Sequence, residues 1–178
     1  MAAFAELIWQ HIDAQAIVWY RGIATIEEQR HAPCRSWLSR NGYSLDTLDC
    51  TLPMDQVVAN LHQMLKWEEQ FGYTPDPQNR NLMALEDGFW FDIPKDGGHV
   101  LELVRVDLAW QHDPEWVRGL LSIVQQYSIR QLALGRRFFA LLVVEERSAM
   151  IGAQIEPVET QVPQPFWQLN KALHNFER

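Results

Sequence analysis

The chain contains one uninterrupted apolar run that decides its fold, Phe138-Phe139-Ala140-Leu141-Leu142-Val143-Val144. The run is far shorter than the roughly 20 apolar residues of a membrane-spanning helix, and it has the length of a strand. A strand that is apolar on both faces is typical of the middle of a parallel sheet that helices cover on both sides. The run therefore predicts an α/β fold with a small parallel sheet flanked by helices.

Strand and helix patterns alternate along the rest of the chain, which fits parallel strands joined by crossover helices. Apolar runs and period-2 alternation predict three further strands, at Ala16–Tyr20, Tyr43–Cys50 and Val100–Val106. Helical spacing and capping signals predict helices at Ala2–Ile12, Thr25–Arg40, Val57–Leu65, Asn81–Phe89 and Asp113–Tyr127. Loops are expected at the Gly- and Pro-containing stretches between these elements.

The predicted helix that ends at Arg40 has two further signals near its start. Thr25 and Glu28 have the spacing of a capping box, which predicts that the helix begins at Thr25. Pro33 lacks a backbone N–H, and we expect it to break or kink the helix near Ala32.

Composition bounds the class of protein. The 178 residues are 47% apolar, which is typical of a folded globular chain rather than a disordered one. Two cysteines, Cys34 and Cys50, form no CxxC motif and are expected to be buried free thiols. The N-terminal residues lack the basic start of a secretory signal, so a cytoplasmic location without membrane insertion is expected. The sequence leaves the oligomeric state open.

The negative charge is concentrated in the middle of the chain. The net charge is −8, and residues 41–119 hold fourteen acidic and five basic residues. Direct binding to a nucleic-acid backbone would need the opposite bias, so nucleic acid is disfavoured as a partner. A negative surface can steer association with a basic protein, although a solvated face that keeps the protein soluble would have the same composition.

No pattern of catalytic or cofactor-binding residues accompanies this charge. The sequence has no P-loop, GxGxxG, HExxH or GxSxG motif, and its six histidines are scattered. His112 with Asp113 or Glu115 has no third ligand at suitable spacing, so no metal site and no cofactor are predicted. Arg30 and Arg35 near Cys34 could lower the pKa of its thiol, but no partner base is apparent. An enzyme is therefore the last of the functional hypotheses.

Between Tyr43 and Glu145 the order of the elements resembles the barstar family, small intracellular inhibitors of secreted ribonucleases. The resemblance is carried by Phe71-Gly72-Tyr73 and by Asn81-Leu82-Met83-Ala84-Leu85-Glu86-Asp87, followed by strand, helix and strand segments. It implies a barstar-like domain (43–146). Outside the resemblance, the sequence patterns predict an N-terminal helix plus a strand–helix extension (1–42) and a C-terminal arm packed on the domain (147–178). We expect the extension to add to the sheet, and Phe166 and Trp167 to anchor the arm.

In the barstar family, the second helix and the loop before it plug the active site of the nuclease with acidic and aromatic side chains. The resemblance places Asp87 at the key acidic position, Tyr73 at the loop aromatic and Asn81 at the junction of loop and helix. Met83 stands where the family usually has Asp, and Glu86 stands where an aromatic residue is common. The candidate partner-binding residues are Tyr73, Asn81, Met83, Asp87, Trp90 and Asp113.

Two functional hypotheses follow. The first is an immunity-type inhibitor that occludes the active site of a nuclease toxin, in the first instance a ribonuclease, with no metal or cofactor. The alternative is a non-inhibitory interaction or regulatory module of the same fold. Three of the candidate residues also have an ordinary structural interpretation: Asp87 as a solvated helix residue or the cap of a neighbouring turn, and Tyr73 and Trp90 as core packing.

Overall fold

A computed structural model of the chain describes residues 13, 16, 17, 21–146, 148 and 150. The strands are β1 (Ile23–Glu27), β2 (Tyr43–Asp49), β3 (Gly98–Val104) and β4 (Arg137–Val144). The helices are α1 (His31–Arg40), α2 (Met54–Met64), α3 (Trp67–Phe71), α4 (Leu82–Gly88), α5 (Val106–His112) and α6 (Pro114–Ala133). Within the described residues, no helix has both the length and the apolar character needed to cross a membrane.

The four strands form one parallel sheet in the order β1-β4-β3-β2. Ile23 lies opposite Ala140, and Leu101 of β3 lies opposite the same residue from the other side. The run that predicted a central strand is therefore central, with β1 and β3 as its neighbours. The predicted α/β class with a parallel sheet is confirmed. The strand that extends the sheet is β1 at Ile23–Glu27, whose last three residues were predicted to be helical.

Helices cover both faces of the sheet. On one face, apolar side chains of α2, α4 and α6 form the larger core with the alternate residues of β3 and β4, such as Leu101 and Phe138. On the other face, Cys34 and Leu38 of α1 pack on Val100 and Phe139. The five residues that helical spacing predicted for the buried side of α6 are all buried: Val117, Leu120, Leu121, Val124 and Tyr127. Four more residues of this helix are buried as well: Trp116, Ile123, Ser128 and Gln131.

Two predictions near the N-terminal end of the described chain were wrong. Ala16 and Ile17 lie in a helical turn rather than a strand, and the N–H of Gly22 donates to the carbonyl of Ala16 at 2.7 Å. A short apolar run fits a buried helical turn as well as a strand, so periodicity could not separate the two. The rest of that run, the predicted helix over residues 2–12 and the predicted arm over residues 151–178 lie outside the described residues.

Thr25 does not begin a helix. It lies inside β1, and α1 starts at His31 after a 3-10 turn at Glu28–Arg30. Pairing of β1 with the distant strand β4 overrides the local capping signal, which is a weaker determinant. Pro33 falls in the first turn of α1, where its missing N–H costs no helical hydrogen bond.

The third predicted strand has the expected length of seven residues but lies two residues earlier in the chain, at Gly98–Val104. It ends at Val104, because Arg105 takes a left-handed conformation (φ 57°) and the helix α5 follows. The guanidinium of Arg105 binds both carboxylate oxygens of Asp107 and pairs with Glu145. These ion pairs hold a backbone conformation that a non-glycine residue adopts at some cost.

The α1 side of the sheet contains a buried carboxylate. The side chain of Glu102 is fully buried, with His31 Nε2 and Arg35 Nη1 each 3.0 Å from its oxygens, and it accepts a hydrogen bond from Thr47 Oγ1 at 2.7 Å. Burial alone would raise the pKa of Glu102, but the hydrogen bonds with His31 and Thr47 and the charge of Arg35 hold that pKa below its ordinary value. The cluster joins α1 to β2 and β3.

We expect Glu102→Ala to lower the free energy of unfolding by about 3 kcal/mol, because it leaves a buried set of donors without its carboxylate. Urea unfolding at neutral pH measures the loss. Asp46→Ala is the control: Asp46 is a partly exposed carboxylate 3.4 Å from His99, and its loss should cost below about 1 kcal/mol. Equal losses in the two variants would contradict the structural role assigned to Glu102.

Candidate functional site

Exposed large apolar side chains are concentrated in one segment of the described chain. Of six such residues, four lie between positions 71 and 90: Phe71, Tyr73, Met83 and Trp90. Isolated exposed apolar residues need no explanation, but a concentration of them marks a candidate interaction surface. We use the name acidic–aromatic surface for five exposed residues of this segment: Phe71, Tyr73, Met83, Asp87 and Trp90.

The aromatic part of this surface is built on a buried tryptophan. Trp67, the first residue of α3, is 3% exposed, and its ring lies 4.9 Å from that of Phe71 and 6.4 Å from that of Tyr73, centroid to centroid. On the inner side, the ring of His62 lies 4.7 Å from Trp67. Trp67 therefore holds two half-exposed aromatic rings against the core, which gives them a defined position at the surface.

The end of α4 packs directly on this aromatic cluster. A Cβ atom on Gly88 would lie 2.7 Å from the ring of Trp67 and 3.0 Å from that of Phe71, so only glycine allows the close approach. The side-chain amide of Gln70 also donates to the carbonyl of Gly88 at 3.1 Å. Asp87 immediately precedes this point of contact in the chain.

Helix α4 carries the other two members of the surface. Met83 and Asp87 are four residues apart and lie on one side of the helix, and Met83 is 79% exposed. Asp87 is exposed and forms no ion pair or hydrogen bond within the described part of the chain. Its neighbour Glu86 is instead paired with Arg130 at 3.3 Å. Asp87 is thus the free carboxylate of this helix.

Asn81 has a structural role at the start of α4. Its side-chain oxygen accepts from the backbone N–H groups of Met83 at 3.0 Å and Ala84 at 3.3 Å, as a helix N-cap does. The start of this helix, predicted at Asn81, is confirmed. The side chain of Asn81 holds the helix that presents Met83 and Asp87.

Asp113 is engaged within the protein. Its carboxylate caps α6 by accepting from Trp116 N at 3.0 Å, and it pairs with Arg80 at 2.8 Å. Arg80 also pairs with Asp55 at 3.1 Å. Through Arg80, Asp113 is joined to the loop before α4, whereas Asp87 lies at the other end of the helix.

The charge around the surface is strongly negative. Residues 67–92 hold six acidic residues and one base, Arg80. Apart from Glu86, the acidic residues of this segment form no ion pair with another described residue: Glu68, Glu69, Asp76, Asp87 and Asp92. Five of the six carboxylates of this segment are therefore free of ion pairs within the described residues, and the same segment contains the exposed aromatic rings.

Three contributors to this site could not be identified from the sequence. In the sequence, Arg80 is a single basic residue in an acidic segment, and nothing indicated that it pairs with Asp55 and Asp113. Gly88 had no turn signal around it, and Gly119 lies inside a helix, where a Cβ would lie 2.2 Å from Leu82 Cδ1. The only signal was that glycine is otherwise unfavourable at an interior helix position.

The groups that the sequence offered for chemistry are inert in their positions. Burial, together with the Glu102 carboxylate, raises the pKa of the Cys34 thiol to about 12, the reverse of the lowering that Arg30 and Arg35 suggested. Burial likewise raises the pKa of Cys50 to about 12, and both thiols are free. Among the described residues, no three His, Cys, Asp or Glu side chains are grouped so that they could hold a metal ion.

Comparison with known proteins gives no match: no family model, no curated protein and no solved structure is similar to this chain.

The pH dependence of stability should report on the aromatic cluster. Burial lowers the pKa of His62 below its ordinary value. As the pH falls, His62 is therefore protonated in the unfolded chain before it is protonated in the folded protein. The contribution of His62 to the free energy of unfolding is therefore fully present above about pH 6.5. Below that pH it falls by up to about 1.4 kcal/mol per pH unit, until the pKa of His62 in the folded protein is reached.

His62→Phe keeps a ring against Trp67 but removes the titrating group. We expect the variant to lose less free energy of unfolding between about pH 6.5 and pH 5, because the proton taken up by His62 on unfolding no longer contributes. Urea unfolding at several pH values measures it. His99 is also buried with a lowered pKa, so part of the slope should remain in the variant. A slope identical to that of the parent protein would show that His62 is not protected from protonation.

Proposed function

We propose that this protein is an immunity-type inhibitor that binds a nuclease, in the first instance a ribonuclease, and covers its active site with the acidic–aromatic surface. The proposal rests on the resemblance of residues 43–145 to the barstar family and on one observation above all. Asp87 is an exposed, unpaired carboxylate on a helix that is tightly packed against exposed aromatic rings. The inhibitor would act in the cytoplasm of the cell that makes it, by occlusion and without turnover.

The chemistry of the two surfaces is complementary. A nuclease must attract phosphate groups, so its active site displays Lys, Arg or His side chains. A carboxylate on a short rigid element can enter such a site and form charge-assisted hydrogen bonds. Aromatic rings at its side, such as Tyr73, add apolar contact area at a small cost in conformational entropy. Central charged and aromatic residues of this kind dominate binding energy in protein interfaces.

Two candidate residues act indirectly in this proposal. Asn81 caps α4, and Asp113 is held by Arg80, so both support the surface and neither offers the partner a free group. The direct contacts are assigned to Tyr73, Met83, Asp87 and Trp90. Glu86, which stands where the family often has an aromatic residue, is occupied by Arg130.

One observation favours the second candidate function, an interaction module that does not inhibit a nuclease. Met83 is 79% exposed at a position where the barstar family usually has an aspartate. A flexible apolar side chain there suits an apolar pocket better than a phosphate site. The partner of such a module would still be basic, because the carboxylates around Met83 remain uncompensated.

The two candidates are separated by co-purification and a nuclease assay. The protein would be co-expressed with the product of its neighbouring gene, and the complex would be assayed for ribonuclease and deoxyribonuclease activity. Silencing of a nuclease at one-to-one stoichiometry supports inhibition. A bound nuclease that stays active, or a bound basic protein without nuclease activity, supports the interaction module instead.

With the nuclease in hand, we expect Asp87→Ala to weaken the complex by about 2 kcal/mol or more, because a central charged contact is lost. Isothermal titration or competition for inhibition measures the change. Glu146→Ala is the matched control, since Glu146 is an exposed carboxylate beyond the end of β4 and its removal changes the net charge equally. A loss below about 0.5 kcal/mol for Asp87→Ala would remove Asp87 from the interface.

A further inference from the structure

The position of α4 depends on its attachments to the rest of the protein. The helix has seven residues, and helices shorter than about 12 residues are marginal on their own in water. Leu82 fits against Gly119 of α6, and Gly88 fits against Trp67. The direction in which Asp87 projects is therefore set by neighbouring elements rather than by the helix itself.

Arg80 makes a third attachment, at the start of the helix. Its Nη1 donates to Asp113 Oδ2 at 2.8 Å, and its Nη2 donates to Asp55 Oδ1 at 3.1 Å. Asp55 lies in the first turn of α2, and Asp113 is the N-cap of α6. One guanidinium group thus ties the residue before Asn81 to the starts of two longer helices. A planar fork with several donors can bridge two carboxylates in this way, whereas an ammonium group is a point charge.

Relief of repulsion between the two carboxylates is the simpler explanation for a base at this position. Both carboxylates, however, already lie at helix N-termini, where negative charge is favourable. Asp113 also keeps its hydrogen bond to Trp116. The starts of α2 and α6 thus have favourable interactions that do not involve Arg80, and we expect its effect to fall on the loop and on α4.

We propose that Arg80 is the positioning residue of the acidic–aromatic surface, which fixes the start of α4 through its two ion pairs and thereby sets where Met83 and Asp87 project. Its importance for binding rests on the proposed function. Its effect on α4 does not, and can be measured without a partner.

Amide hydrogen exchange of the full chain tests this role. In Arg80→Met, we expect the amides of Met83, Ala84 and Leu85 to exchange roughly tenfold faster or more. The amides of β4 should keep the rates of the parent protein. Arg80→Lys should also accelerate exchange in α4, because the fork is lost although the charge remains. Asp55→Asn, which breaks the clamp from its other side, should act in the same direction to a smaller extent.

Arg118→Met is the matched control, because Arg118 is another partly exposed arginine, paired with Glu115 at 2.6 Å near the start of α6. It should leave α4 unchanged. Unaltered exchange in α4 of Arg80→Met, or equal acceleration in α4 and β4, would overturn the proposal.

Dissociation of the complex provides the second arm of the test. A nuclease bound through the acidic–aromatic surface should dissociate from the Arg80→Met variant roughly tenfold faster than it dissociates from the parent protein. An unchanged dissociation rate would overturn the role of Arg80 in binding. Failure of the parent protein to bind any nuclease would count against the proposed function alone, since the exchange rates would still decide what Arg80 does to α4.

Discussion

A strand that is apolar on both faces must be covered from both sides, and the rest of the fold meets this requirement for β4. Helix α6 supplies most of one cover, and α1 supplies the other by packing on Phe139 and Leu141. Lying between β1 and β3, the strand also has its backbone groups paired on both sides. The buried Glu102 cluster then fixes α1 on its face, so a polar contact sets the position of an apolar layer.

The acidic–aromatic surface, unlike the sheet, is not stabilised by extensive packing within its own elements. Its members belong to the short helices α3 and α4 and to the segments that follow each of them. Contacts with neighbouring elements position both helices. Trp67 carries the rings, Gly119 receives Leu82, and Arg80 holds the first turn. Under the proposed function, these attachments would limit the conformational entropy that the surface loses when a partner docks.

Local signals predicted the parts of the structure that are determined locally. The run at 138–144 indicated the sheet, Asp113-Pro114 marked the start of α6, and Asn81 marked that of α4. Thr25 misled because its strand forms only against β4, which is distant in sequence. Arg80 was missed for the same reason, since its two partners come from separate helices. The resemblance indicated which residues to consider as a site. Only the folded chain shows that Asp87 forms no ion pair with a described residue, whereas Asp113 is paired with Arg80.

The pairing of β1 with β4 has a consequence for the order in which the chain folds. Ile23 belongs to the first of the described strands to be synthesised, whereas its partner Ala140 belongs to the last. Before β4 is synthesised, β2 and β3 can pair with each other, but β1 has no neighbouring strand. Helix α1 then has only part of the sheet face on which it packs in the folded protein. Closure of the sheet is thus a late step between remote segments, which slows folding and leaves apolar surface exposed during synthesis.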